Sequence, residues 1–453
     1  MKILVTGASG LVGRNLIRHL LLAGHEVSAL ARTPQKVLEL PEQKVVAWKD
    51  SQSVPLTALR GLDAVVHLAG EGVADKRWTA ERKSRLVSSR VEGTKHIVNA
   101  MAQLDAKDRP KVMLSASAIG YYGETGDLNC DEDSPAGAGF LAKLCEDWES
   151  QALEAEKAGV RVVLPRIGIV LSKEGGALSK MGPAVLGSGR QWMSWVHIDD
   201  LINFITLALE NTNLRGAYNL TSPNPARNVD FTRALAKALS YPFVLPTPEV
   251  VLKAVLGEMA EMLFGSQRIL PTRTLACGFE FQHPTLPEAL AAIYGSDNFL
   301  DNHLIVNQFV PLMKKDIFPF FSKAENLEKL TPPWLNFHIV KKTTPTIEKN
   351  TLIDYKLKIR GVPVTWRTQI SEWNPNDSFV DDQLKGPYNK WHHLHRFDEV
   401  PGGTLLRDEV TFRLPGWALG KVFLTGWIRR DVETIFSYRQ KVIRELYKKG
   451  ELK

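Results

Sequence analysis

Three groups of residues in this 453-residue sequence have types and spacing suited to chemistry. The first is Thr6-Gly7-Ala8-Ser9-Gly10-Leu11-Val12-Gly13. Glycines at this spacing let a phosphate sit on backbone amides at a helix N-terminus. Gly7 permits a tight turn, Gly10 lets the backbone approach a pyrophosphate, and Gly13 lets the following helix pack on the preceding strand. The second is Arg32, which ends Ala29-Leu30-Ala31-Arg32-Thr33 without a carboxylate nearby. A site for NAD places Asp or Glu there to accept the ribose 2′-hydroxyl, whereas a guanidinium fork suits a 2′-phosphate, so NADP(H) is the expected cofactor. The third is His392, His393 and His395. On a strand, His393 and His395 share a face with Trp391 and His392 points away. Two histidines are an incomplete ligand set, so no metal is expected. Arg367, Asp381 and Gln383 are read as a solvated outer face, with polarisation of a ligand as the alternative.

The elements that position these groups follow two rhythms. Up to about Tyr294, short apolar runs alternate with helical stretches: Lys2–Val5, Glu26–Ala31, Ala64–Leu68, Val112–Ser115 and Val162–Leu164 read as buried strands, and Asn15–Leu22 as a helix. Strands apolar on both faces and separated by helices imply an α/β fold, a doubly wound Rossmann parallel sheet with its cleft at the strand C-termini. After Gly295–Asn302 the pattern becomes Leu304–Val310, two short helices in Asp316–Leu330, then strands near Phe337–Lys342, Leu352–Ile359, Val364–Trp373, Phe379–Leu384, Lys390–Phe397 and Leu405–Leu414. A long C-terminal helix carries Ile428, Val432, Ile435, Val442, Ile443 and Leu446 on one stripe. An antiparallel sheet around such a helix predicts an α+β domain with a cavity. The domains expected are 1–296, with a substrate lobe mainly in 166–196 and 221–294, and 297–453.

Composition narrows the class. The hydrophobic fraction of 44% and charged fraction of 24% are those of a globular protein. No apolar run reaches the roughly 20 residues of a membrane span. The three cysteines form no framework, which fits a reduced, cytoplasmic setting. The net charge of +7 is spread along the chain, so no nucleic-acid partner is expected.

The glycine loop, His67-Leu68-Ala69-Gly70 and His197-Ile198-Asp199-Asp200-Leu201 resemble extended short-chain dehydrogenases. Ala69-Gly70-Glu71, Ser115-Ala116-Ser117-Ala118-Ile119-Gly120-Tyr121-Tyr122-Gly123, Gly187-Ser188-Gly189-Arg190-Gln191-Trp192 and Gln267-Arg268-Ile269-Leu270-Pro271 narrow this to the YfcH-type, SulA-related epimerase-like proteins. The resemblance implies that Ser9, Leu11, Val12, Leu68, Ala69, Gly70 and Ser115 join the glycines and Arg32 around the cofactor. It also implies a catalytic Ser, Tyr and Lys. Ser117 fits the serine position, with Ser115 the alternative. Where Tyr-x-x-x-Lys should open the next helix, Leu141 and Cys145 stand, and Lys143 is out of phase. Tyr121 or Tyr122 can supply a phenol from the neighbouring loop, or can pack under the nicotinamide instead. Arg166, Arg190 and Trp192, with Trp195, are expected either to line a substrate pocket, an arginine among tryptophans suiting an anionic or planar ligand, or to pack an irregular loop on the core.

In the second half, Asn326-Leu327-Glu328-Lys329-Leu330-Thr331-Pro332-Pro333-Trp334-Leu335, Trp366-Arg367-Thr368, Gly386-Pro387-Tyr388 and Trp391-His392-His393-Leu394-His395 resemble the SRPBCC, or START-like, superfamily. That implies a helix-grip fold and a hydrophobic small ligand. Two functions follow: an NADP(H)-dependent oxidoreductase or epimerase acting on a small molecule, and a non-catalytic NADPH-binding sensor or scaffold that lacks the Tyr-Lys pair.

Overall fold

The computed structural model describes residues 1–415 and 417–452, and the side chains of all of these except 417–425. The chain forms two compact units, Met1–Val37 with Glu42–Asn298, and Leu38–Pro41 with Phe299–Lys453.

The first unit is built on strands β1 (Lys2–Thr6), β2 (Glu26–Ala31), β3 (Val45–Ala47), β4 (Ala64–His67), β5 (Val112–Ser115), β6 (Arg161–Ile167) and β7 (Gly216–Leu220). They pair in parallel in the order β7-β6-β5-β4-β1-β2-β3, and the short strand Ser117–Ala118 also pairs with β6. The order reverses between β1 and β4, which opens a crevice at their C-terminal ends. Ile3, Leu4, Val5, Val65, Val66 and Leu114 are fully buried, because helices cover both faces. Helix α1 (Leu11–Leu22) begins at Leu11, earlier than the expected Asn15, because Gly10 already serves as its N-cap. Helices α2 (Ala80–Ala102) and α3 (Phe140–Leu153) complete the frame of the crevice. The apolar pattern did not reveal β3 and β7. The former has only three residues, and the latter carries the polar Asn219, fully buried and hydrogen-bonded.

The second unit contains β8 (Asp301–Val310), β9 (His338–Lys342), β10 (Leu352–Ile359), β11 (Val362–Asn374), β12 (Ser378–Lys385), β13 (Lys390–Val400), β14 (Gly403–Arg413) and the 33-residue helix α4 (Trp417–Lys449). The sheet is antiparallel throughout, in the order β8-β14-β13-β12-β11-β10-β9. Two register shifts interrupt the pairing of β11 with β12, at Arg367/Thr368 and Ile370/Glu372. Val432, Phe436, Ile443 and Leu446 of α4 are buried against one face of this sheet, packing with Phe412, Val410, Phe397 and Phe379. Between helix and sheet lies a cavity of about 800 Å³, lined by Tyr355, Trp366, Phe379, Trp391, Ile435 and their neighbours.

Candidate active site

The glycine loop owes its shape to close approach. Gly7 adopts φ +68°, and a Cβ there would stand 2.6 Å from the Leu68 carbonyl oxygen. A Cβ on Gly13 would stand 2.3 Å from the Gly7 oxygen. Gly10 gives its amide to the Gly7 carbonyl at 2.9 Å. Ser9 and Gly10 are exposed, and Leu11 and Val12 half-buried, at the positive end of α1. Thr6 ties this loop to the end of β4: its hydroxyl oxygen accepts the amides of Leu68 and Ala69, both at 3.1 Å. Thr6 also meets His67 Nδ1 at 2.7 Å, while His67 Nε2 lies 3.0 Å from Thr94, which accepts Trp148 Nε1–H at 3.0 Å. Burial, with Arg90 nearby, lowers the His67 pKa to about 3, so the ring is neutral. Sequence reasoning missed this clamp, since nothing in the spacing announces that Thr6, His67 and Thr94 meet.

Arg32, just after β2, is largely exposed and pairs with Glu71, which also receives Arg82 at 3.0 Å and Arg85 at 3.4 Å. Burial alone would raise the Glu71 carboxyl, but hydrogen bonds from Arg82 and Arg32 outweigh it and hold the pKa at about 2. The result is a rim with three guanidiniums around one carboxylate. Glu71 was visible only as part of a motif, because its partners come from other elements.

The hydroxyl groups after β5 do not stand as the sequence suggested. Ser117 is buried and donates to Glu149 Oε1 at 2.5 Å. Arg166 grips the same carboxylate through Nε and Nη2, both at 2.8 Å, and donates from Nη1 to the Tyr122 hydroxyl at 2.9 Å. Tyr122 in turn donates to Asn219 Oδ1 at 2.7 Å, and burial pushes its phenol pKa up. Tyr121 is half-buried with its ring under the Arg166 guanidinium at 3.5 Å. Ser115 Oγ is buried and has no protein partner.

These contacts correct the pocket reading of Arg166. Its side chain is only 5% exposed and its donors are committed to Glu149 and Tyr122, because a buried carboxylate must be paired. The grouping of Arg166 and Arg190 with Trp192 also fails. Trp192 lies between Arg227 and Arg268, whose Cζ atoms are 4.2 and 4.4 Å from the ring, and its Nε1–H donates to Asp127. Arg190 is exposed, and Trp195 is fully buried. Leu141 and Cys145 lie together on the face of α3 that meets Gly120, where an added Cβ would stand 3.3 Å from the Leu141 Cβ and 3.6 Å from Cys145 Sγ. Burial, reinforced by Glu149, pushes the Cys145 thiol up to about 12. Lys143 points into solvent and pairs with Glu146 and Asp147.

In the second unit His392 turns away from the cavity and meets Asp382 at 2.8 Å. His393 and His395 line the cavity, where they meet Asp381, a correction to its placement on a solvated face. The register shifts in β11 separate Asp381 from exposed Arg367, which pairs with Asp354, while Gln383 hydrogen-bonds the backbone of Tyr388. Each imidazole touches both Asp381 and Asp408, and Arg439 lies 3.3 Å from Asp408 Oδ1. Burial opposes charge on these groups. Even so, the histidines hold the Asp381 carboxyl below its ordinary range, and Arg439 with the histidines does the same for Asp408.

The NAD dependent epimerase/dehydratase family matches residues 3–221, and a domain of unknown function, DUF1731, matches 247–293. The epimerase family protein SDR39U1 homolog, chloroplastic, of Arabidopsis thaliana is 40% identical over 309 residues, covering 65% of this chain and 86% of its own length. Epimerase family protein YfhF of Bacillus subtilis is 32% identical over 300 residues, 65% of this chain and 98% of its own. The crystal structure of human epimerase family protein SDR39U1 (isoform 2) with NADPH aligns with TM-score 0.59 and 32% identity over 65% of this chain and 99% of that one. UDP-glucuronic acid 4-epimerase from Bacillus cereus with NAD, at 18% identity and TM-score 0.51 over 65% of this chain and 95% of its own, shares the fold. Among the described residues no helix is long and apolar enough to cross a membrane.

Proposed function

This chain belongs to the epimerase family, and on that premise we propose that its first unit binds NADP(H) and acts on a small molecule as an atypical oxidoreductase or epimerase. The observation that carries this reading is the glycine cradle, too tight for any side chain at Gly7 and Gly13, with Arg32 just beyond β2 where an NAD site would hold a carboxylate. The NADPH in the human SDR39U1 structure supports the choice of cofactor. Ser9, Gly10, Leu11 and Val12 would hold the pyrophosphate, Leu68, Ala69 and Gly70 the neighbouring face, and Arg32 the 2′-phosphate. When bound, the nicotinamide supplies or accepts hydride.

Proton transfer then needs a donor other than the usual Tyr-Lys pair. Tyr121, stacked on Arg166, is our choice for the phenol. Ser117 donates its hydroxyl hydrogen bond to Glu149, which leaves its oxygen free only to accept, so it orients a substrate hydroxyl. Ser115, with its free hydroxyl, is the group that can donate. A second reading, an NADPH-binding sensor without turnover, is favoured by one observation: Leu141 and Cys145 fill the dyad face of α3. The second unit we read as a START-like, helix-grip domain for a hydrophobic small ligand, supported by the aromatic cavity of about 800 Å³ under α4.

The test is a titration of the full-length protein with NADPH and NADH. NADPH should bind at least about tenfold tighter, and Arg32→Ala should erase that preference, as loss of a charge-assisted contact implies. Equal affinities, or an unchanged preference in Arg32→Ala, would refute the cofactor assignment. Substrate-dependent NADPH oxidation across carbonyl compounds and nucleotide sugars, lost in Tyr121→Phe, separates the enzyme from the sensor.

A further inference from the structure

We propose that Asp381, His393 and His395 bind a divalent transition-metal ion in the wall of the second unit's cavity. The NADP(H) reading of the first unit does not require such an ion, and metal binding here does not depend on which apolar molecule fills the cavity.

The geometry is that of a ligand set. Asp381 Oδ2 lies 3.3 Å from His393 Nδ1 and 2.9 Å from His395 Nε2, and the three donor atoms lie within 4.8 Å of one another. Around an ion with bonds of about 2.0–2.1 Å, neighbouring donors are separated by roughly 2.9 Å at right angles and about 3.3 Å at the tetrahedral angle. The separations from Asp381 to the two histidines match these values, so the carboxylate and each imidazole already stand as neighbouring ligands would. The sheet makes this possible: Asp381 on β12 stands directly opposite His393 on β13, and His395 lies two residues further along the same face.

The atoms behind the donors point the same way. Metal-binding histidines usually give their other ring nitrogen to a carboxylate, which fixes the ring and its tautomer. Here His393 Nε2 lies 3.1 Å and His395 Nδ1 3.0 Å from a single oxygen, Asp408 Oδ1. Phe379 stacks on His395 at 4.1 Å and the edge of Phe436 meets His393 at 5.3 Å, holding both rings. Arg439 Nη2 lies 3.3 Å from Asp408 Oδ1 and 3.2 Å from His395 Nδ1, and its charge balances Asp408.

Charge then identifies what completes the site. With Asp408 offset by Arg439, the donor set carries the single charge of Asp381. A divalent ion leaves one net positive charge in a buried, largely apolar setting, where an uncompensated charge is costly. The open coordination positions face the cavity and should take an anionic oxygen, such as the carboxylate or enolate end of an apolar molecule. Two histidines and one carboxylate with open positions suit iron(II), and zinc or cobalt(II) accept the same donors.

The test uses the full-length protein, purified without a histidine tag, stripped with EDTA and titrated with Co(II). The expected result is one Co(II) per chain with visible d–d absorption, abolished by Asp381→Ala and weakened about 10- to 100-fold by Asp408→Asn. Failure to take up Co(II), or uptake unchanged in Asp381→Ala, overturns the proposal. Should the variants misfold, X-ray absorption fine structure of the zinc-loaded parent reads the donors directly. Two imidazoles are expected, and a spectrum without imidazole scattering overturns the site.

Discussion

Replacing Arg166 by alanine removes three charge-assisted hydrogen bonds at once, two to Glu149 and one to Tyr122, at a position where both charged side chains are under a tenth exposed. Glu149 would keep only the Ser117 hydroxyl as a donor. Breaking a buried pair on one side typically costs about 3–5 kcal/mol, because the abandoned charge stays desolvated. At about 2 °C per kcal/mol, the low end of the range for domains of 150–250 residues and the end suited to the larger first unit, the melting temperature should fall by roughly 5 °C or more. The double variant Arg166→Met with Glu149→Gln removes both charges and keeps a partner for Ser117, so it should recover at least half of that loss. Thermal unfolding of the full chain, followed by circular dichroism, measures the shift. Hydrogen exchange in peptides covering β5 and β6 assigns it to the first unit. A melting temperature for Arg166→Ala within about 2 °C of the parent would refute the view that this pair sustains the crevice wall. A double variant no better than the single would refute its electrostatic basis.

Two further outcomes follow from the titrating groups. Glu71, with its pKa held at about 2, contributes stability that is fully present above the ordinary value of 4.5 and is lost as pH falls through 2. Melting temperatures recorded from pH 5 down to pH 2.5 should therefore fall less steeply for Glu71→Gln than for the parent, and parallel curves would contradict the ion-pair rim. Cys145, buried with its thiol pushed up to about 12, should resist thiol reagents at pH 8 in the native protein and react on unfolding, whereas half-buried Cys130 and Cys277 should react earlier. Peptide mapping by mass spectrometry gives the order.

How much was legible in the sequence depended on whether a residue's role was fixed locally. Gly7 and Gly13 could be read because their constraint is steric and arises within one strand-turn-helix unit. The i, i+4 relation of Leu141 and Cys145 placed both on one face of α3, and Lys143 off it, for the same reason. Arg166 was misread because its partner, Glu149, lies on a different element, and nothing local distinguishes an arginine that seeks a ligand from one that neutralises a buried acid. Trp192 attracted the wrong arginine because the two that flank it, Arg227 and Arg268, are distant in sequence. Asp381 was placed outside because alternation was carried across β11 and β12 as though their pairing were regular, whereas two register shifts interrupt it. His393 and His395 were assigned to one face correctly, since a single uninterrupted strand decides that.

The same pairing bears on which changes in chain length the second unit can tolerate. Along β13, Trp391, His393, His395 and Phe397 face the cavity side, while Lys390, His392 and Arg396 alternate with them. One residue gained or lost within Lys390–Phe397 would exchange the two sets, turning lysine and arginine toward the aromatic interior and both buried histidines outward. The irregular pairing of β11 with β12 lies one strand away, whereas Asp381 stands opposite His393 in an uninterrupted stretch of β12 and β13. Relatives that share this cavity should accordingly differ in length at the turns near Arg360-Gly361, Asn374-Asn376 and Gly402, where the backbone enters the left-handed region, and not within β12 or β13.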